Sequence, residues 1–303
     1  MYFTMRPLPL IRKMPVVGLA LPRAFAAMTT QQPPSTFTLN KGIFNETLYS
    51  RIRTFWFTDL PPGFTGANPA TLKRWWGMNA SQSEKQQFDA SCSEEFLPAI
   101  KALGPECLHL PTFESNEAER ASASTIASPL LAEVQAANDH SAQQAADTLL
   151  SLVILLDQLP RNIFRSQSTL PLVYNHYDRL AHALVRSSMS ITPNPVALQD
   201  YVKRPAIQSW ILMPLLHSED LSSHDLWDSL AADMDAMVPS GDESGKMYVE
   251  QGRKAWEMHV DPIGKFGRYP HRNACLGRES SAEEKEWLSK GETFGVSQRK
   301  DEL

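Results

Sequence analysis

The sequence predicts an all-α protein. Apolar residues recur at intervals of three or four over most of the chain, which is the period of an α-helix. No segment shows the apolar–polar alternation of a half-buried strand. The clearest stripe lies in residues 83–103, where four apolar side chains are four positions apart: Phe88, Cys92, Phe96 and Ile100.

The same periodicity predicts the other elements in order. Residues 141–157 are amphipathic in their first half and apolar all round in their second half, as expected of a helix buried at one end. The last helix begins with a capping box formed by Ser281 and Glu284. Stacked antiparallel pairs of about seven or eight helices would form one domain. Helices are predicted over residues 46–57, 83–103, 141–157, 169–188, 196–217, 224–237, 245–260 and 281–290.

Three regions are predicted along the chain. Residues 1–43 are a targeting segment followed by a disordered linker rich in Thr, Gln and Pro. Residues 44–291 form the single helical domain. Within it, residues 104–140 are rich in Ser, Ala and Glu and weakly patterned, which predicts a surface insertion. Residues 292–303 are a flexible tail that ends in Lys-Asp-Glu-Leu.

Composition excludes some classes of protein. A net charge of −5 and a pI near 5.9 argue against general nucleic-acid binding, because no basic face is evident. The sequence has no run of roughly 18 apolar residues, so no transmembrane segment is predicted. The 3 cysteines have neither paired spacing nor zinc-site spacing. A protein partner and the oligomeric state stay open.

The two ends carry different targeting signals. Residues 1–45 contain no acidic residue and resemble a mitochondrial presequence, although their prolines oppose an amphipathic helix. The terminal Lys-Asp-Glu-Leu is the retrieval signal of the endoplasmic-reticulum lumen. Starting the chain at Met28 would give a cytosolic form. The sequence leaves these three locations open.

The first of three polar clusters follows the apolar helix directly and consists of Asp157, Arg161, Asn162 and Arg165. Pro160 suits the first turn of a new helix, which places Arg161 and Arg165 one turn apart on the same face. Two guanidinium groups so placed can hold a phosphate or a carboxylate. The alternative is a structural ion network in which these arginines pair with Asp157, or with Glu219 and Asp220.

The second cluster, His217, Glu219 and Asp220, follows another apolar run. A histidine and two acids at a helix end can supply a general base with its orienting acid, or metal ligands. Their spacing matches no strong metal signature, and a hydrogen-bonded histidine beside capping carboxylates is the alternative.

The third cluster lies between the last two predicted helices and contains Arg268, His271, Arg272, Asn273 and Arg278. Gly267, Pro270 and Gly277 oppose a continuous helix, so an ordered loop is predicted. The five arginines of the three clusters outnumber the three carboxylates Asp157, Glu219 and Asp220. If the clusters converge, the resulting pocket is therefore expected to prefer an anion.

These clusters, with the aromatic residues Phe55, Trp56 and Phe57 before them, resemble an uncharacterised family of bacterial and fungal proteins known as domain of unknown function 924. The resemblance implies an all-helical, tetratricopeptide-like fold in one domain, and it implies no activity. This chain departs from the family in its longer residues 104–140 and in His224–Asp225, where a glutamine is expected. The other matching motifs are Leu155–Arg165, Met213–Asp220 and Lys265–Glu279.

Three hypotheses about function remain. In the first, Arg161, Arg165, Arg268 and Arg272 bind a small anionic ligand. Asp157, Asn162, Asn273 and Arg278 add further contacts. For acid–base, hydrolytic chemistry, His271 or His217 would carry the proton and Glu219 or Asp220 would orient it.

The second hypothesis is an interaction scaffold in which the clusters are structural ion networks. The third is a metal-dependent hydrolase using His217, Glu219, Asp220 and His259. The sequence contains no glycine-rich phosphate loop, nucleophile elbow or dinucleotide fingerprint, so it identifies no cofactor.

Overall fold

A computed structural model describes residues 37–290, and within that range the chain forms helices and turns without a strand. The all-α prediction is confirmed. The chain divides into two units, Met1–Thr36 and Phe37–Leu303. The predicted targeting segment, the alternative start at Met28 and the terminal Lys-Asp-Glu-Leu lie outside the described residues.

The helices are numbered in chain order. Two π-helical segments, Ile154–Gln158 and Val173–Tyr177, continue α6 into α7 and α8 into α9, and two 3-10 turns occur at Pro195–Ala197 and Pro270–Arg272. None of the helices in residues 37–290 is long and apolar enough to cross a bilayer. The helices are α1 Glu46–Trp56, α2 Pro69–Trp76, α3 Gln82–Ala102, α4 Asn116–Ile126, α5 Ser128–Asn138, α6 Ala142–Val153, α7 Leu159–Ile163, α8 Leu170–Leu172, α9 Asp178–Ser188, α10 Gln199–Val202, α11 Pro205–His217, α12 Leu221–Met237, α13 Glu243–Phe266 and α14 Ala282–Lys290.

Polar side chains cap most of the longer helices at their N-termini. Each cap accepts a hydrogen bond from a backbone N–H of the first turn, which otherwise lacks a partner. The predicted box before α14 is confirmed: the Ser281 N–H donates to Glu284 at 2.8 Å, and the Glu284 N–H donates to Ser281 at 3.1 Å. The other caps are Asn45, Asn68, Ser81, Ser115, Ser141, Asp220 and Asp242.

Helix α11 lies at the centre of the core. It is apolar on every side, so it needs neighbours all round, and it packs against α6, α9, α12 and α13. Its fully buried Trp210 meets Trp56 of α1 and Trp75 of α2 edge-on, with ring centroids 5.1 Å apart in both pairs. The C-terminal end of α11 therefore has a fixed position, and that end carries His217.

Contacts between helices do not follow chain order alone. Helix α4 packs on α9 and α3 packs on α7, in addition to the neighbouring pairs α5–α6 and α12–α13. The tetratricopeptide-like arrangement stays a prediction.

The segment 104–140, predicted as a surface insertion, keeps many exposed residues but also has a buried face. It forms α4 and α5, which pack on α9 and α6. Ile126, Leu130 and Val134 are buried, as are the smaller Ala123 and Ala127. The segment therefore contributes to the core.

Replacing Leu130 with Ala tests this position in the core. Leu130 is fully buried, so the free energy of unfolding is expected to fall by about 2–5 kcal/mol. Denaturant unfolding measures the change. The control is Gln135→Ala on the exposed side of the same helix, and equal effects of the two substitutions would show that α5 is peripheral.

Candidate functional site

The site is built around Asp157, a fully buried carboxylate in the π-helical segment after α6. Its Oδ1 accepts a hydrogen bond from His217 Nδ1 at 2.7 Å, and the Gln158 amide donates to Oδ2. Burial raises the pKa of Asp157. The opposing effect of the nearby charges of His217 and Arg161, together with these hydrogen bonds, is larger, so the net pKa shift is downward. An ionised Asp157 holds the His217 ring with Nδ1 protonated and Nε2 directed away.

Arg161 connects Asp157 to a second buried acid, Asp178, at the start of α9. The Arg161 guanidinium donates to both carboxylate oxygens of Asp178, at 2.7 and 3.0 Å, and its Nη2 lies 4.0 Å from Asp157. The net pKa shift of Arg161 is upward, because these acids outweigh the opposing effect of burial. Asp178 belongs to no predicted cluster.

Arg272 of the third cluster lies over this pair. Its guanidinium carbon is 4.3 Å from the Tyr174 ring centroid and 4.6 Å from that of Tyr269, a cation–π contact on each ring. Its Nη2 donates to the His217 carbonyl at 2.9 Å and lies 3.8 Å from Asp178. The buried Nε atom has no hydrogen-bond partner among the described residues.

Glu219 attaches the predicted loop to the end of α11. Arg278 donates to both its carboxylate oxygens at 2.7 and 2.9 Å, and the Tyr269 N–H donates to Oε1 at 2.9 Å. Burial raises the pKa of Glu219, while the Arg278 hydrogen bonds and the charge of Arg272 lower it more. The loop is ordered, as predicted: α13 ends at Gly267 in the left-handed region, and a 3-10 turn follows.

His271 and His259 lie beside Tyr269, with ring centroids 5.3 and 6.1 Å from its ring. Burial, followed by the charge of Arg272, holds the pKa of His271 well below its usual value. Burial lowers the pKa of His259 to about 3. Both imidazoles are therefore neutral near pH 7.

The structure joins part of each predicted cluster into one group, called here the central cluster. Contacts connect its members continuously, from α7 through the end of α11 to the loop. The central cluster consists of Asp157, Arg161, Asp178, His217, Glu219, Tyr269, His271, Arg272 and Arg278.

Five residues of the three predicted clusters lie outside it. Arg165 is 57% exposed and pairs with Asp89, while Asn162 contacts Arg165 and the Gln158 carbonyl. Arg268 donates to both oxygens of Glu284 at 2.7 and 2.9 Å, and Asn273 donates to Ser280 at 3.1 Å. Asp220 pairs with Arg120 at 2.6 Å. Neither Glu219 nor Asp220 orients His217, because Asp157 occupies that position.

The expected excess of arginine over carboxylate is wrong. Asp178, Asp89 and Glu284, all outside the predicted clusters, pair with Arg161, Arg165 and Arg268. The central cluster has three arginines and three carboxylates, which balance while His217 is neutral. No sequence spacing indicates these partners, since they come from other helices.

The described residues contain no group of three His, Cys, Asp or Glu side chains placed to hold a metal ion. The two carboxylates of the predicted metal site form ion pairs with separate arginines: Glu219 pairs with Arg278, and Asp220 pairs with Arg120. A cavity of about 350 Å³ lies elsewhere, along Pro193–Asp200, and none of the predicted site residues lines it.

The fold and the site define an all-helical protein with a buried network of arginine, carboxylate and histidine at its centre. The chain belongs to the family described as "Bacterial protein of unknown function (DUF924)", whose profile matches residues 52–292 and contains all four motifs of the predicted resemblance. Among solved structures, it is similar to a protein of unknown function from Agrobacterium tumefaciens. Identity is 21%, coverage is 83% of this chain and 100% of that chain, and the TM-score is 0.47. No curated protein matches the chain.

Acid is expected to destabilise the protein in two stages. The pKa of His182, about 4, and that of His259, about 3, lie below the unfolded value near 6.5. Their stabilisation is therefore complete above about pH 6.5 and is lost as pH falls. The Arg268 hydrogen bonds lower the pKa of Glu284 to about 2, so its contribution is lost only below about pH 4.3.

Urea unfolding at pH 7.5 and pH 5.0 measures the first stage. Each of these histidines is expected to contribute a loss of at most about 2 kcal/mol between those values. His259→Gln should reduce the loss, whereas His140→Gln on the exposed surface should leave it unchanged. Equal stability at the two pH values would contradict this assignment.

A second prediction concerns the pair of Arg161 and Asp178. Asp178 is 8% exposed, so Asp178→Asn leaves Arg161 without its full counter-charge and should lower the free energy of unfolding by about 3 kcal/mol. Asp89→Asn breaks the exposed pair with Arg165 and should cost less than about 1 kcal/mol. Denaturant unfolding at pH 7.5 compares them, and similar losses would refute a special role for the buried pair.

Proposed function

We propose that the protein binds a small anionic molecule, a carboxylate or a phosphate ester, beside His217, and that His217 transfers a proton to or from it. One observation carries this proposal: the buried carboxylate of Asp157 holds His217 Nδ1 at 2.7 Å. A histidine oriented by a buried acid is a common arrangement for general acid–base catalysis.

The other nitrogen of His217 supports the same proposal. Nε2 makes no hydrogen bond among the described residues, and the side chain is 12% exposed. Asp157, predicted as a ligand contact, instead supplies the orienting charge and would stabilise the imidazolium after proton uptake.

Arg272 is the residue best placed to hold the anion. It is 6% exposed, its guanidinium is fixed between two tyrosine rings, and its Nε has no hydrogen-bond partner among the described residues. A ligand carboxylate or phosphate would meet a donor that is already oriented, so little conformational entropy is lost on binding.

The charge balance of the central cluster couples anion binding to protonation of His217. With neutral His217, the three arginines and three carboxylates of the central cluster cancel. Protonation of His217 gives the cluster a net charge of +1, which an anion neutralises. Anion affinity is therefore expected to rise when His217 is protonated.

A thermal-shift screen of the full-length protein against carboxylates and phosphorylated metabolites tests the proposal. A ligand that binds the folded form raises the Tm. Arg272→Gln should weaken binding of a hit by about tenfold or more, since a hydrogen bond to a charged group contributes about 1.5–3 kcal/mol. Arg165→Gln, on an exposed arginine paired with Asp89, is the matched control and should bind normally.

His217→Gln separates binding from chemistry. Glutamine can still donate to Asp157 but cannot accept and release a proton at neutral pH, so turnover of the hit should fall about 10²- to 10⁴-fold while the fold persists. A screen without a hit, or a hit unaffected by Arg272→Gln, would refute the proposal.

The interaction scaffold is the second candidate. It is supported by the two-bond ion pairs of Arg161, Arg268 and Arg278, because partners satisfied in this way are expected of a structural network. A screen without a hit, together with unfolding of Arg272→Gln and Asp178→Asn, would favour it.

A further inference from the structure

A second polar group lies where α4, α9 and α12 meet, and none of the three predicted clusters includes it as a unit. We call it the Arg186 cluster. It consists of Arg120, His182, Arg186, Asp220 and Ser223. Asp220 faces this cluster, while the preceding Glu219 faces Arg278 of the central cluster.

Ser223 connects its members. Its buried hydroxyl lies 2.8 Å from His182 Nε2, 3.2 Å from Arg186 Nη1 and 3.3 Å from Asp220 Oδ2. Arg186 donates to the hydroxyl oxygen, so its guanidinium is held in place by a neutral group instead of a carboxylate.

The charges of this cluster do not cancel. Arg120 pairs with Asp220 at 2.6 Å, and Arg186 forms no ion pair with any described residue. Burial and the charge of Arg186 lower the pKa of His182 to about 4, so its ring is neutral near pH 7. Two guanidinium groups therefore share one carboxylate, which leaves one positive charge in excess.

We propose that the Arg186 cluster is a second anion site, which binds a small oxyanion such as phosphate. Arg186 supplies the unpaired charge. The Arg120 side chain is 30% exposed and can contact a ligand while it keeps its bond to Asp220. Both guanidinium groups offer several donors in a plane, which is the geometry that phosphate and carboxylate groups accept.

This site is independent of the proposed function, because its ligating residues are different. The Ser223 hydroxyl donates to Asp220 and accepts from Arg186, so it is already engaged and serves to position Arg186 and His182. The proposed role of the Arg186 cluster is to bind an oxyanion, without a chemical step.

Isothermal titration calorimetry of the full-length protein with sodium phosphate, at constant ionic strength set with sodium chloride, tests the site. Arg186→Gln should weaken phosphate binding by about tenfold or more, because one charge-assisted contact is lost. Glutamine keeps a donor for Ser223, and circular dichroism verifies the fold. Arg186→Lys retains the charge and should bind more tightly than Arg186→Gln.

Two control arginines decide between sites. Arg165→Gln should leave phosphate affinity unchanged. Arg272→Gln should remove at most a second binding event at the central cluster, and the event that depends on Arg186 should keep its affinity. Phosphate binding that is lost in Arg272→Gln and kept in Arg186→Gln would overturn the second site and support the central cluster. Absence of any phosphate binding at millimolar concentrations would also overturn it, without bearing on carboxylate binding beside His217.

Discussion

The buried charge of Asp157 is the constraint on which the centre of this structure depends. An ionised carboxylate without exposure to solvent is stable only with compensating donors and charges, which His217, Gln158 and Arg161 provide. Arg161 then requires Asp178, and Asp178 lies beside Arg272. One acid thus accounts for contacts that join α7, α9, α11 and the loop before α14.

Helical periodicity identified most of the longer helices. Helices α1, α3, α12 and α14 begin within about three residues of their predicted starts. Helices α2, α4 and α5 were missed. Helix α2 has only 8 residues, and the buried positions of α4, α5 and the residue between them include Ala123, Ala127 and Ala137, which weaken the apolar pattern. The interval 196–217 divides into a 3-10 turn, α10 and α11, a break that periodicity alone does not show.

The sequence indicated which helix ends carry the polar groups, and the structure joins parts of all three predicted clusters. It did not indicate the pairing. Asp89 lies 76 positions from Arg165, and Glu284 lies 16 positions from Arg268, so no local spacing reveals these contacts. The same holds for Arg186 and Ser223, which are 37 positions apart. Charge balance in such a site is a property of tertiary packing.

The two π-helical segments limit how this part of the chain can change in length. Each closes an i→i+5 hydrogen bond, from Leu159 to Ile154 and from Asp178 to Val173, and so accommodates one extra residue in an otherwise α-helical stretch. One residue corresponds to about 100° of rotation around an α-helix axis. A single-residue deletion in α6 that left the π-helical turn in place would rotate Arg161 away from Asp178, and only the return of that turn to α-helical geometry would restore the pairing. Loops accommodate insertions and deletions readily. In this stretch, by contrast, the pairing of Arg161 with Asp178 depends on the number of residues in the helix.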